Sequence, residues 1–200
     1  VEFLQTLAKY HFEHSAINSI GITGSNGKTI LKEWLYQCLS NEFVTVKSPK
    51  SFNSQIGLPL SLFQIEKKHD LGIFEVGISK PDEMDNQENI FHPKIGLLTH
   101  IGSAHSANFS SEEELINEKL KLFKNSEIIF YNADNLLTDK IINELYSSKK
   151  LISCGLEINN DIHIISDVND RTKDIQIKYF DEIITLPIFQ RDEATLTNVL

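Results

Sequence analysis

Cysteine is nearly absent from this 200-residue chain: Cys38 and Cys154 are the only two. Two cysteines exclude a disulfide framework, and their spacing matches no metal-ligand pattern. Both are expected as small core residues. Basic residues are also scarce, 19 Lys and Arg against 28 Asp and Glu, for a formal net charge of −9. That balance excludes a general nucleic-acid binder, which needs a basic surface. It leaves room for a nucleotide site, where a few local donors outweigh the global charge. No apolar run approaches the roughly 18 residues of a membrane span, and no signal-peptide pattern opens the chain. The sequence therefore predicts a soluble, cytoplasmic protein with neither nucleic acid nor a membrane as partner. Internal repeats and low-complexity tracts are missing as well.

What is present is ordinary and globular, 40% hydrophobic and 24% charged. The length suffices for one domain, or one domain with a small subdomain, and for a real core. The chain opens at Val1 rather than at a methionine. It closes on Thr195-Leu196-Thr197-Asn198-Val199-Leu200, which has helical texture. A piece of a longer polypeptide is the expectation.

Apolar spacing divides the chain into alternating strands and helices. Leu4, Leu7, Ala8, His11 and Phe12 fall at helical spacing. Ile20–Thr23, Phe43–Val46, Leu71–Val76, Ile95–Leu98 and Ile128–Tyr131 are strand candidates. The spacing predicts helices over 28–39, with Ile30, Leu31, Trp34, Leu35, Cys38 and Leu39 inward, and over 112–123 and 135–146. Ser110 or Ser111 is placed to cap the second of these, with Glu113 or Glu114 completing a capping box. The cluster Glu112-Glu113-Glu114 is expected as first-turn acids complementing the helix dipole. Alternation of nearly continuous apolar strands with helices predicts an α/β fold: a P-loop-type, mostly parallel sheet flanked by helices. From about Leu151 the texture changes to short β-rich pieces, Leu151–Cys154, Ile162–Val168, Ile175–Phe180 and Ile183–Ile188, separated by Asn/Asp-rich turns. The expected division is a parallel core over 1–148 and a small antiparallel β annex over 149–190.

The strongest chemical signal is Thr23-Gly24-Ser25-Asn26-Gly27-Lys28-Thr29. It follows a buried strand and opens a helix, where a phosphate loop must sit. Glycine lets backbone N–H groups approach phosphate oxygens without a Cβ in the way. Lys28 is placed to lie between the β- and γ-phosphates of ATP, and the Thr29 hydroxyl to bind Mg²⁺. Ile22 stands where the general pattern has its first glycine.

That departure resembles the T-G-x-x-G-K-T loop of Mur ligases and folylpolyglutamate synthases. Further segments fall into register with the MurF branch of the Mur ligase family. They are Thr29-Ile30-Leu31-Lys32-Glu33, Ser51-Phe52-Asn53-Ser54-Gln55-Ile56-Gly57-Leu58-Pro59, Phe74-Glu75-Val76-Gly77, Ile101-Gly102-Ser103-Ala104-His105, Glu118-Lys119-Leu120-Lys121-Leu122-Phe123 and Asn132-Ala133-Asp134-Asn135. The likeness covers nearly the whole chain up to Asn135 and is weak beyond about residue 150. Glu193-Ala194-Thr195-Leu196-Thr197-Asn198 occupies the place of the family's G-x-H-N-x-x-N, without its histidine. The motif wording also resembles the MurF half of fusions with alanine racemase, although no racemase sequence is present in these 200 residues.

The resemblance implies a set of roles. Thr23 to Thr29 and Asn132 bind ATP. Glu75 joins Thr29 on a first Mg²⁺, and His105 binds a second. By residue chemistry alone, a histidine beside so hard a cation would rather hydrogen-bond. Lys119, four residues before Phe123, matches the family lysine that CO₂ converts to a carbamate and hence to an anionic metal ligand. Lys121 and Lys124 are the neighbours that register alone does not exclude. Lys28, His105 and Lys119 are then the catalytic set. Asn53 and Gln55 are placed weakly on the substrate side, since Asn and Gln in a Gly/Pro loop also serve as turn residues. Asp134 and Asn135 either line the nucleotide or cap the following helix. His100 has no family counterpart and is expected to be structural.

The implied activity is ATP-dependent amide-bond formation in peptidoglycan precursor synthesis. D-alanyl-D-alanine would be added to UDP-MurNAc-tripeptide through an acyl phosphate. An N-terminal UDP-substrate domain and a C-terminal ligase domain would lie outside this chain, and the fragment alone would be inactive. The competing readings are another Mur ligase or a folylpolyglutamate synthase, a P-loop kinase or GTPase, and a non-catalytic nucleotide-binding module. No N-K-x-D guanine motif is present, and the metal-side strand ends in Glu75 rather than aspartate.

Overall fold

Ile20-Gly21-Ile22 and Leu71-Gly72-Ile73-Phe74 offer no polar face, so a strand built from them is stable only between two layers of helix. In the computed structural model, which describes residues 1–102, 108–167 and 174–187, they form β1 (Asn18–Thr23) and β3 (Leu71–Glu75), buried almost throughout. With β2 (Thr45–Lys47), β4 (Ile95–Leu98), β5 (Ile128–Asn132) and β6 (Lys150–Gly155) they run parallel in the order β2-β3-β1-β4-β5-β6. The sheet continues through β7 (Ile162–Asp167), parallel to β6 over two residue pairs. It ends in β8 (Asp174–Tyr179) and β9 (Glu182–Pro187), which pair antiparallel. The expected fold, a mostly parallel sheet with helices and a small antiparallel end, is the one observed.

One strand belongs elsewhere than expected. Leu151–Cys154 was grouped with the antiparallel pieces, yet β6 pairs in parallel with β5 along its length, and antiparallel pairing starts between β7 and β8. Connection length explains this. Helix α6 (Leu136–Tyr146) returns the chain to the same end of the sheet before β6, as a parallel crossover requires. Phe180 and Asp181, the only residues between β8 and β9, allow only a hairpin.

The other helices are α1 (Glu2–Glu13), α2 (Lys28–Leu39), α3 (Gly57–Leu62), α4 (Glu83–Ile90) and α5 (Glu112–Leu120). They cover a two-sided core. On one face Ile20, Ile22, Leu71 and Ile73 pack against Leu31, Leu35, Tyr36 and Leu39 of α2. On the other face a larger cluster gathers Phe74, Met84, Phe91, Leu115, Ile116 and Leu120. The inward stripe expected for α2 is corrected accordingly: Ile30, Trp34 and Cys38 are exposed, and the helix's one fully buried residue is Lys32. Cys154 is buried, as expected of a small core residue.

Two short helices were not anticipated. Helix α4 reads Glu-Met-Asp-Asn-Gln-Glu-Asn-Ile and anchors through Met84, Gln87 and Ile90, one of them polar. Helix α3 begins at the Gly57-Leu58-Pro59 that read as a loop. The predicted helix over 112–123 stops at Leu120 and tightens into a 3₁₀ turn at Lys121–Phe123. Its start is as read: the Ser111 hydroxyl caps Glu114 N–H at 3.1 Å, and Glu114 returns a carboxylate oxygen to Ser110 N–H.

β1 lies between β3 and β4, so the loops leaving β1 and β4 and the end of β3 meet outside one edge of the sheet. In open α/β sheets this switch point is where ligands bind.

Candidate functional site

The loop joining β1 to α2 crosses that switch point. Gly24 has φ of 142°, and a Cβ there would stand 2.0 Å from Thr99 Oγ1. Gly27, with φ of 83°, is the N-cap of α2. Both positions favour glycine for conformational reasons, and Gly24 for space as well. No side chain caps the first turn of α2 and no acid lies in it. Its N–H groups and dipole therefore form an anion-binding end. The loop is held from β4: Thr99 N–H donates to Thr23 O, and Thr99 Oγ1 donates to Asn26 O at 2.6 Å. The Ser25 N–H donates to His100 O at 2.9 Å, which gives His100 the structural part expected of it through its backbone. Ser25, Asn26, Gly27, Lys28, Thr29, Ile30 and Asn53 line a cleft of about 280 Å³.

Two ammonium groups converge on one carbonyl of this loop. Lys28 Nζ donates to Gly24 O at 2.7 Å and to Ser25 O at 3.1 Å, and Lys119 Nζ donates to Gly24 O at 2.9 Å. Lys119 is 1% exposed. Among the described residues its only hydrogen-bond partner is that carbonyl. Burial, and then the Lys28 charge, push its pKa down from 10.5 to about 7. Burial also lowers the Lys28 pKa, opposed by the charge of Glu75.

The three lysines that sequence register left open are now distinct. Lys119 lies beneath the loop. Lys121 reaches away to Asp85 at 2.6 Å and Glu118 at 2.7 Å, with Asp82 at 3.9 Å; against the opposing effect of burial, Asp85 and Glu118 raise its pKa. Lys124 is exposed. The acidic trio of Asp82, Asp85 and Glu118 is thus already held by an ammonium.

Glu75 ends β3 in register with Ile22, just before the loop, and is fully buried. Its Oε2 accepts from Thr29 Oγ1 at 3.1 Å and, at 3.4 Å, from Asn53 Nδ2. Its backbone N–H is held by Ser48 Oγ. Lys32 Nζ stands 2.9 Å from Oε1. That contact lies off the hydrogen-bonding direction, so Oε1 is charge-paired yet accepts no hydrogen bond. Two hard oxygen donors, the Thr29 hydroxyl and the Glu75 carboxylate, therefore meet beside the anion-binding end of α2. This is the donor chemistry that suits Mg²⁺.

Not every expected residue arrives here. Gln55 is taken up as a brace: its Oε1 accepts from Gln5 and its Nε2 donates to Glu83 O. Asn132 ends β5, two strands from β1, with Oδ1 accepting from Asp134 N–H and Nδ2 buried without a partner among the described residues. Asn135 caps α6 through Thr138 N–H at 2.9 Å. Asp134 receives Leu156 N–H at 2.8 Å. His105, and the Glu193–Asn198 stretch, lie outside the described residues. The residue that sequence reasoning passed over is Lys32. Its partner Glu75 is distant in sequence, and although Lys32 falls within the Thr29–Glu33 segment that resembles the family, nothing local assigns it a role.

This chain is similar to known proteins along most of its length. The profile of the Mur ligase middle domain matches residues 22–200. A UDP-N-acetylmuramoyl-tripeptide–D-alanyl-D-alanine ligase from Borreliella burgdorferi is 41% identical over 136 residues, covering 68% of this chain and 29% of that protein. The structure of MurF ligase from Thermotoga maritima in complex with ADP superimposes with a TM-score of 0.86 at 25% identity. It covers 99% of this chain and 47% of that one. MurF from Acinetobacter baumannii gives 0.88 at 22% identity over 98% of this chain and 44% of that one, a likeness of fold. The chain spans about a third or less of the curated relatives it matches. It belongs to the Mur ligase family and is a Mur ligase middle domain.

Proposed function

We propose that this chain is the Mg·ATP-binding part of a MurF-type ligase, which adds D-alanyl-D-alanine to UDP-MurNAc-tripeptide in the cytoplasm. The observation that carries this is the convergence of Lys28, Thr29, Glu75 and Lys119 around one glycine loop at an uncapped helix N-terminus. The relatives' names supply the substrates. The UDP-linked peptide and the dipeptide are bound by parts of the polypeptide beyond this chain, which supplies the nucleotide domain. A fused alanine racemase is not needed by this reading.

Each residue has a task in it. The α2 N–H groups and Lys28 hold the β- and γ-phosphates, Lys28 turning from the Gly24 and Ser25 carbonyls to phosphate oxygens. Thr29 and Glu75 hold Mg²⁺, which disperses charge on the transferring phosphoryl group. Asn53, bonded to the same Glu75 oxygen, faces the carboxylate that receives the phosphate. Asn132 lies on the nucleotide side. No covalent enzyme nucleophile is required: the peptide carboxylate takes the γ-phosphoryl group of ATP with release of ADP, and the amine of the dipeptide then attacks the acyl carbon, losing a proton and displacing phosphate.

Lys119 is the carbamate site. The ammonium first gives up one proton; the neutral amine then attacks the carbon of CO₂, an N–C bond forms as one C=O π bond opens onto oxygen, and a second proton leaves the nitrogen, so that the side chain ends as an anionic oxygen ligand. The supporting geometry is a buried amine that has no carboxylate partner among the described residues and lies next to Lys28. His105 completes the metal set by family resemblance.

The direct check is ligation by the complete enzyme with Lys28→Ala. Turnover with UDP-MurNAc-tripeptide, D-alanyl-D-alanine and ATP should fall at least a hundredfold, with the circular dichroism spectrum unchanged. Activity within tenfold of wild type would remove the phosphate-loop assignment. Ligation of glutamate to a folate in place of this reaction would move the chain to the folylpolyglutamate synthase class.

A further inference from the structure

Lys32 occupies the sheet-facing side of α2 and is 0% exposed. Its ammonium meets Glu75 Oε1 at 2.9 Å, Glu33 Oε1 at 3.3 Å and the Lys50 carbonyl. Lys50 holds that carbonyl from a left-handed conformation, φ 48°. A buried ion pair is weak evidence of stabilisation, since apolar residues of similar volume commonly do as well. Its place beside the Thr29–Glu75 contact calls for another account.

The charges provide one. Glu75 and Lys32 are both fully buried and together neutral. Thr29 and Asn53 contact one carboxylate oxygen, and Lys32 stands at the other. A divalent cation arriving at the Thr29–Glu75 side would meet an ammonium across a single carboxylate, a repulsion little screened in a buried site. Lys28 adds positive charge nearby. The missing component is negative charge, and a nucleotide's phosphates supply it.

We propose that Lys32 is a positioning residue that makes Glu75 a conditional metal ligand: it neutralises and orients the carboxylate in the nucleotide-free protein, so that the divalent cation enters with the nucleotide rather than before it. This rests on the reading of Glu75 as a metal ligand. It goes beyond that reading by assigning the order of binding to one buried lysine.

The test measures Mn²⁺ affinity by electron paramagnetic resonance on the complete ligase, with and without a non-hydrolysable β,γ-imido analogue of ATP. Wild type should bind Mn²⁺ at least tenfold more weakly without nucleotide than with it. Lys32→Met should tighten nucleotide-free binding at least tenfold, Lys32→Arg should behave as wild type, and the gain should vanish in Lys32→Met combined with Glu75→Gln. Unchanged nucleotide-free affinity in folded Lys32→Met, or a gain that survives in the double variant, would overturn the proposal. If Lys32→Met does not fold, wild type still decides, because equal affinities with and without nucleotide also overturn it. Glu75→Gln alone separates the two levels. If it leaves nucleotide-dependent Mn²⁺ binding unchanged, Glu75 is no metal ligand and the underlying reading fails. If it weakens that binding while Lys32→Met changes nothing, only the role of Lys32 is lost.

Discussion

Two buried lysines approach the phosphate loop from opposite faces of the sheet, and they are solved in opposite ways. Lys32, on α2, has a buried carboxylate at 2.9 Å. Lys119, on α5, has one carbonyl oxygen and a second ammonium for company. Burying a charge is costly unless it is paired. Lys32 meets the rule and Lys119 breaks it, so a pKa near 7 falls to Lys119. The difference teaches that burial alone does not mark a reactive lysine. On the carbamate reading proposed above, the lack of a counter-ion among the described residues does, because it favours the neutral amine.

The sharpest way to break the comparison is to alter Lys119 in the complete enzyme. Lys119→Ala should lose at least a hundredfold in turnover, and acetate should restore part of it by supplying an anionic oxygen ligand. Lys119→Arg should fail as badly, since arginine keeps the positive charge and forms no such carbamate. A fully active Lys119→Arg enzyme would show that the residue works as a cation or not at all.

The paired lysine should show itself in stability. Lys32→Met strands the Glu75 carboxylate and should cost about 3–5 kcal/mol in denaturant unfolding. The combination with Glu75→Gln should recover most of that. A loss in the double variant equal to the single would mean that the pair is not the source.

Lys119→Met should do the reverse, with a pH signature. Lys119 has a pKa of about 7 in the fold against 10.5 ordinarily, so between those values the unfolded chain binds the extra proton. Its contribution to stability therefore rises with pH through that window and is least favourable below pH 7. In CO₂-free buffer the variant should gain on the order of a few kcal/mol over wild type at pH 6, and the gain should shrink toward pH 10. A gain independent of pH would point to packing rather than charge.

Lys121→Ala gives the smallest effect. Lys121 is partly exposed among acids, and its loss should cost about 1 kcal/mol or less, leave turnover within threefold, and need no acetate. A loss in turnover like that of Lys119→Ala would reverse the assignment of the two lysines.

Much of this site is legible in the sequence because its signals are local. The glycine loop announces itself by composition and by its place between an apolar strand and a helix, and Glu75 by ending an apolar run. The register of Lys119 is less local. Helix α5 tightens into a 3₁₀ turn at Lys121, so counting back from Phe123 assumes a regular period that the chain abandons. Lys32 was illegible because its partners, Glu75 and Lys50, come from other elements. In the fold, the apolar strands β1, β3, β4 and β5 were easy to place, whereas the strand expected over Phe43–Val46 is the shorter Thr45–Lys47, with Phe43 and Val44 exposed, and α4 was hidden because one of its three buried anchors is Gln87. The outward Ile30, Trp34 and Cys38 show the limit of periodicity: α2 carries apolar residues around most of its circumference, and only packing chooses between faces.

The contrast between the two lysines comes down to whether carbon dioxide adds to one and not the other. Carbon-13 NMR of the complete ligase in ¹³C-bicarbonate, with Mg²⁺ and the imido analogue of ATP, reads this directly. The account expects one carbamate resonance in wild type, retained in Lys32→Arg and absent from Lys119→Arg. No carbamate resonance at saturating bicarbonate, or one that persists in Lys119→Arg, would contradict it.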